Sequence, residues 1–136
     1  MARIRVSEAA HLLGVSDDTI RRWIDNGTLP GTKDASGRLA VEGLDLANLA
    51  RKQAASPDDP AGSRSSARNR FTGLVTGIVT DTVMAQVELQ CGPFRVVSLM
   101  SSEAVRELGL ELGSVATAVV KATTVIVETG PLGSQA

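Results

Sequence analysis

Three short segments concentrate side chains that donate hydrogen bonds or carry positive charge. "SARNR" at 66–70 supplies Ser66, Arg68 and Arg70, "SLMSSEA" at 98–104 supplies Ser101 and Ser102, and "KATT" runs from Lys121 to Thr124. Their sole carboxylate is Glu103. A hydroxyl, a guanidinium, an ammonium and free N–H groups at a helix start suit a small oxyanion. A site poor in acceptors also selects chemically. A fully deprotonated tetrahedral dianion such as molybdate, tungstate or sulfate fits it, whereas hydrogen phosphate brings a proton that finds no acceptor. Each residue has an ordinary use too: Ser101 as a helix cap, Lys121 as a solvated strand end, Arg68 as a partner for Glu128.

The elements that must hold these groups follow from the period of the apolar pattern. Up to about residue 54 the period is helical, through Val6, Ala9, Ala10 and Leu13, then Ile20, Trp23 and Ile24, then Leu46, Leu49 and Ala50. From Phe71 it becomes strand-like. "FTGLVTGIVTD", "VMAQVELQ", "FRVVSLM", "SVATAVVK" and "TTVIVE" are short, rich in Val and Thr, and mostly separated by Gly, Asp or Pro. One helix interrupts them in "SSEAVRELGLELGS", with Ala104, Val105 and Leu108 on one face, Ser101 or Ser102 as N-cap and Gly109 as the stop. Five strands with a helix between the third and fourth predict an OB-like barrel. "ASPDDPAGSRS" has the composition of a linker. The expected fold class is therefore α+β: a small domain over 1–54, a linker over 55–64, the barrel over 65–129 and a tail over 130–136.

The bulk numbers exclude several functions. Aromatic residues are 2% of the chain, leaving almost nothing for base stacking on single strands. The net charge of −1 gives no overall field toward DNA, so any positive patch must be local. One cysteine, Cys91, and one histidine, His11, exclude an internal disulfide and a zinc site built from cysteines or a histidine pair. Cys91 falls in the hairpin-like "QCGPF" with no base beside it, and His11 reads as a packed or surface helix residue. There is no Ser/His/Asp set and no phosphate loop, so no enzyme is expected. The opening "MARIRVSEAAHLL" lacks the apolar stretch of a secretory leader. No run approaches about 18 apolar residues. A cytoplasmic chain with no membrane partner is the expectation.

In the N-terminal half, "VSEAAHLLGVSDDTIRRWIDNGTLP" contains two helical segments broken at Gly14. Ser7 and Ser16 are the expected N-caps, with Glu8, Asp17 and Asp18 in the first turns. Ile20, Trp23 and Ile24 pack on the first helix, which leaves Asp17, Thr19, Arg21 and Arg22 facing outward. "GTKDASGRLAV" reads as two strands around a turn at Asp34–Gly37, a wing with Lys33 and Arg38 on its arms. A third helix over about 43–54 ends in Arg51 and Lys52. Residues 3–54 resemble the winged helix-turn-helix of the MerR and excisionase type. The resemblance implies double-stranded DNA as partner, with Ser16, Thr19 and Arg22 toward bases and Arg21, Lys33 and Arg38 nearer the backbone. Eight basic against seven acidic residues over 1–54 give a weak electrostatic footprint, so two copies should act together on paired half-sites.

Residues 65–128 resemble a Mop/TOBE domain, the molybdate-binding OB-like module of molbindins. "SARN" at 66–69, "FTGLV" at 71–75, "ELGLELGS" at 107–114 and "VKATTVIVE" at 120–128 carry the resemblance. It implies a molybdate or tungstate ion bound between subunits of a homo-oligomer, held by Ser66, the Ala67 backbone N–H, Arg68, Ser101, Lys121 and Thr123. One departure stands out: Ala104 occupies a position where that family often carries a second hydroxyl. The combined expectation is a molybdate-responsive DNA-binding transcriptional regulator. The alternatives are a molybdate storage or buffering protein and an excisionase-like architectural DNA protein whose barrel only oligomerises it.

Overall fold

The structure is a computed structural model that describes residues 2–54 and 65–130. The linker expected over 55–64 and nearly all of the tail after 130 lie outside the described residues. The chain divides into two compact units, one within Met1–Ala55 and the other Ser56–Val127.

The first unit builds on a short strand, β1 (Arg3–Arg5), followed by helices α1 (Val6–Leu13) and α2 (Asp17–Asp25). Strands β2 (Thr32–Lys33) and β3 (Leu39–Glu42) form the wing, and helix α3 (Gly43–Gln53) closes the unit. Strand β3 sits centrally in the antiparallel order β1-β3-β2. Gly14 ends α1 at φ 69°, a left-handed conformation that favours glycine, and its N–H returns to the helix carbonyls. Val6, Ala9, Ala10, Ile20 and Leu29 form the core, with Trp23 and Ile24 packed on its edge. The expected spacing of α2 on α1 is thus realised. Ser7, expected as an N-cap, is instead inside the first turn. Arg5 holds the cap position, without a side-chain cap bond. The reason is β1: pairing of Arg5 with Ala40 keeps the chain extended through Arg5, and the helix starts directly after it.

The second unit is a four-stranded antiparallel sheet and one helix. Strands β4 (Asn69–Thr80), β5 (Met84–Cys91), β6 (Phe94–Ser101) and β7 (Val115–Val120) take the order β6-β5-β4-β7, with helix α4 (Ser102–Glu107) between β6 and β7 in sequence. The long β4 serves two partners. Its first half pairs with β7 and its second half with β5, with a bulge between Val75 and Gly77 that bends the strand. Val75, Val87, Leu89 and Val105 fill the interior. Helix α4 is pinned to the β4–β5 turn, because Ser102 donates from its backbone N–H to the Val83 carbonyl and from its hydroxyl to the Thr82 carbonyl.

The α+β class and the OB-like domain match the sequence expectation, with two local differences. Leu108, expected on the buried face of α4, is 66% exposed, and of the three residues expected on that face only Val105 is buried. The fifth strand expected in "TTVIVE" has no sheet partner in one copy. A 3-10 turn at Ala122–Thr124 follows β7, and Val125 beyond it is extended at φ −80°, ψ 124°. Ile126 and Val127 are then 84% and 88% exposed. Strand propensity describes a fit to a pleated, half-buried surface, and the segment has the backbone shape without the surface.

Candidate functional sites

The donor clusters of the second unit are sorted by the register of β4. Asn69 opposes Val120, and its side-chain amide donates to the Val120 carbonyl at 3.3 Å. That pairing sets "SARN" and "KATT" side by side at one end of the β4–β7 ladder, with Arg68 and Lys121 each one residue beyond it. Both are exposed. Lys121 precedes the 3-10 turn, and its carbonyl accepts from the Thr124 N–H at 3.0 Å and the Thr124 hydroxyl at 2.8 Å. Thr124 is therefore spent inside the turn. The exposed Thr123 hydroxyl keeps its bonding capacity for a ligand. On the other side, the Ala67 N–H donates to Ser65 Oγ at 3.1 Å, while Ser66 is exposed.

Ser101 is held elsewhere. It pairs with Met84 at the end of β6, next to the turn that joins β4 to β5. The full 12-residue length of β4 separates that turn from Asn69, roughly 36 Å along the strand path at about 3.3 Å per residue. One copy therefore brings Ser66, Arg68, Lys121 and Thr123 toward one end and leaves Ser101 at the other. Ser101 caps α4 by accepting from the Ala104 N–H at 3.1 Å. A hydroxyl that accepts still has its proton to donate, so capping and anion binding are compatible. Ser102 is buried and committed to Thr82, and it offers nothing to a ligand. Cys91 is buried, and burial pushes its thiol above the ordinary range, which disfavours the nucleophilic thiolate form.

In the first unit, the residues expected at DNA divide differently. Ser16 caps α2 by accepting from the Thr19 N–H at 3.1 Å, and the two hydroxyls also bond to each other at 2.9 Å. Ser16 and Thr19 thus stabilise the helix start before they meet any ligand. Arg21 and Arg22 are adjacent and exposed on α2. Lys33 and Arg38 flank the wing turn, one on each arm, where the Asp34 N–H donates to the Arg38 carbonyl at 2.9 Å.

Sequence reasoning missed the arginines of β1. Arg3 donates to the Lys33 carbonyl at 2.9 Å and pairs with Glu42, and Arg5 pairs with Asp34 at 3.2 Å. The signal was present: "RIR" at 3–5 alternates, which puts both arginines on one face of a strand. Among the described residues no group of acidic, histidine and cysteine side chains could hold a metal ion. No helix among them is long and apolar enough to cross a membrane.

Comparison with known proteins divides the chain in the same way. A family model described as a TOBE domain matches residues 65–127, and one described as a helix-turn-helix domain matches residues 4–54. Over 63 residues the chain is 41% identical to molybdenum-pterin-binding protein 2 of Clostridium pasteurianum, a match that covers 46% of this chain and 93% of that protein. Over 67 residues it is 36% identical to the molybdenum transport protein ModE of Herbaspirillum seropedicae, covering 48% of this chain and 25% of the relative. Among solved structures, a molybdate binding protein from Sporomusa ovata aligns at 33% identity with a TM-score of 0.48, over 49% of this chain and all of that one. Both matched families are binding domains, not enzymes.

Proposed function

Because the chain belongs to the TOBE-domain family and carries a helix-turn-helix domain ahead of that module, we propose that it is a molybdate-responsive, DNA-binding regulator of the cytoplasm. The joining of the two modules in one polypeptide is the observation that carries this reading. Molybdate or tungstate is held by Ser66, Arg68, Lys121 and Thr123 of one copy together with Ser101 of another. The Asn69–Val120 register supports the first group, and the location of Ser101 at the opposite end of β4 supports the second copy. A site divided in this way couples binding to assembly, since the anion favours whichever oligomer completes it. Regulation needs one further condition: the anion must prefer one arrangement of the DNA-binding units over another, because equal affinity for both shifts nothing.

Calorimetry tests the anion half. Molybdate should bind at no more than one ion per chain, with sulfate and phosphate as controls, and the Arg68→Ala, Lys121→Ala double variant should lose the signal while staying folded. An unchanged titration of that variant would put the site elsewhere. Duplex binding with and without molybdate tests the other half. A second reading, molybdate storage, is favoured by one fact: the Clostridium relative consists almost wholly of the shared module. Alanine at Thr19, Arg21 and Arg22 separates the two, since storage would be untouched and regulation lost.

A further inference from the structure

A cleft of about 450 Å³ opens in the first unit where the end of β1, the starts of α1 and α2, and the turn end of wing strand β3 converge. Arg5, Ser7, Asp17, Arg21 and Arg38 line it. Their charges are unequally committed. Arg5 is paired with Asp34. Arg21 and Arg38 have no ion-pair or side-chain hydrogen-bond partner among the described residues. Against these two free guanidiniums stands one carboxylate, Asp17, so the cleft has one positive charge in excess. That balance suits a singly charged phosphodiester.

The wing turn fixes where Arg38 begins. Asp34 Oδ1 accepts from the Ser36 N–H at 2.8 Å and the Arg38 N–H at 3.0 Å, while Oδ2 takes the Arg5 guanidinium. The Asp34 backbone closes the same turn with Arg38 and Gly37, and Gly37 at φ 78° adopts the left-handed conformation that the turn needs. The Asp34 side chain is only 7% exposed. The hydrogen bond from the Arg38 amide, foremost, holds its carboxyl below the usual range, so it stays ionised.

We propose that this cleft seats one phosphate of the DNA backbone between Arg21 and Arg38, and that Asp34, although acidic, strengthens DNA binding by holding the Arg38 arm in place. The inference rests on the DNA-binding reading above and adds to it a single shared phosphate and a positioning residue.

Counterion release counts phosphates, not arginines, and so supplies the test. The full-length protein is titrated with a mixed-sequence duplex of about 30 base pairs over a range of KCl, and log K is plotted against log salt. Arg21→Gln and Arg38→Gln should each flatten the slope by no more than about 1, and the double variant should also flatten it by only about 1. A double variant that flattens it by about 2 would mean two separate phosphates and overturn the proposal. Asp34→Ala, which removes the charge together with the Oδ1 acceptor that holds the Ser36 and Arg38 amides, gives a test of sign. Removing a negative charge beside DNA strengthens binding if charge alone matters, whereas loss of positioning weakens it several-fold, with faster hydrogen exchange at the Ser36 and Arg38 amides. Tighter binding would refute the role of Asp34. Replacing chloride by inorganic phosphate at equal ionic strength should leave the duplex bound; displacement that depends on Arg21 and Arg38 would make this a free-phosphate site instead. A wild-type chain with no affinity for duplex would overturn the DNA reading itself, an outcome distinct from all of these.

Discussion

At the residue scale, Ala104 is the most informative position in the second unit. Its N–H bonds Ser101 Oγ at the start of α4, so a side chain there stands beside a proposed ligand of the anion. Ala104→Ser adds a donor at the position where the Mop/TOBE resemblance expects one. A hydrogen bond to a charged partner contributes about 1.5–3 kcal/mol. We therefore expect molybdate to bind the variant about tenfold more tightly or better, as read by calorimetry. No change would mean that the α4 start does not face the anion. A second residue-scale prediction concerns acid. Asp81 accepts from the Met84 N–H at 2.7 Å and the Val83 N–H at 2.8 Å. The Met84 bond, then the Val83 bond, lowers its pKa. A carboxyl depressed on folding contributes stability that is fully present above its unfolded value, about 3.9, and is lost as pH falls through the folded value. Urea denaturation should therefore show Asp81→Asn losing less stability than the wild type on acidification below about pH 4. Parallel curves for the two proteins would exclude Asp81 as a source of the acid sensitivity.

At the scale of elements, Gly73 shows why the β4–β5 pairing is so close. A methyl group there would run into the Gln90 carbonyl and, at 2.8 Å, the Cys91 sulfur. Alanine in place of a strand glycine ordinarily helps by about 0.5–1 kcal/mol. Here the obstacle is backbone, which cannot rotate away, so the clash wins. Gly73→Ala should destabilise the second unit by about 1–3 kcal/mol in urea, and an unchanged midpoint would show that the sheet yields at this point. This glycine also illustrates what the sequence makes legible. The alternation of Val and Thr located β4 to β7, and Ser16 and Gly14 located the ends of α2 and α1, because period and capping are local. The cap at Arg5 escaped, since it depends on β1 pairing with β3, from residues more than thirty positions away. The donor residues were legible by type, yet the division between the two ends of β4 was not. That division is set by which half of one long strand each partner takes, a matter of register rather than composition.

At the scale of the whole molecule, the unpaired segment after β7 and the open sheet raise one question: what completes the barrel? Strands β6 and β7 are the two sheet edges, and both line one largely apolar groove of about 440 Å³, β6 through Val96–Met100 and β7 through Ala116–Val120. An exposed edge with apolar side chains invites another strand. The same chain carries three consecutive exposed apolar residues outside that groove, Val125, which is extended, Ile126 and Val127. If each copy of the proposed assembly lends this segment to the groove of another, the exchange would bring Lys121 and Thr123 of one copy toward Ser101 of the next. Ile126→Asp should then lower the mass seen by light scattering and abolish molybdate binding, although every proposed ligand is intact. Arg68→Ala with Lys121→Ala should do the reverse, losing the anion while the assembly without molybdate keeps its mass. Molybdate binding by Ile126→Asp at monomer mass would show that one copy can close the site alone, and the coupling of anion to assembly would fail with it. Cysteines at Ile126 and Ser98 that crosslink within one chain rather than between chains would point the same way, since the segment would then close its own barrel.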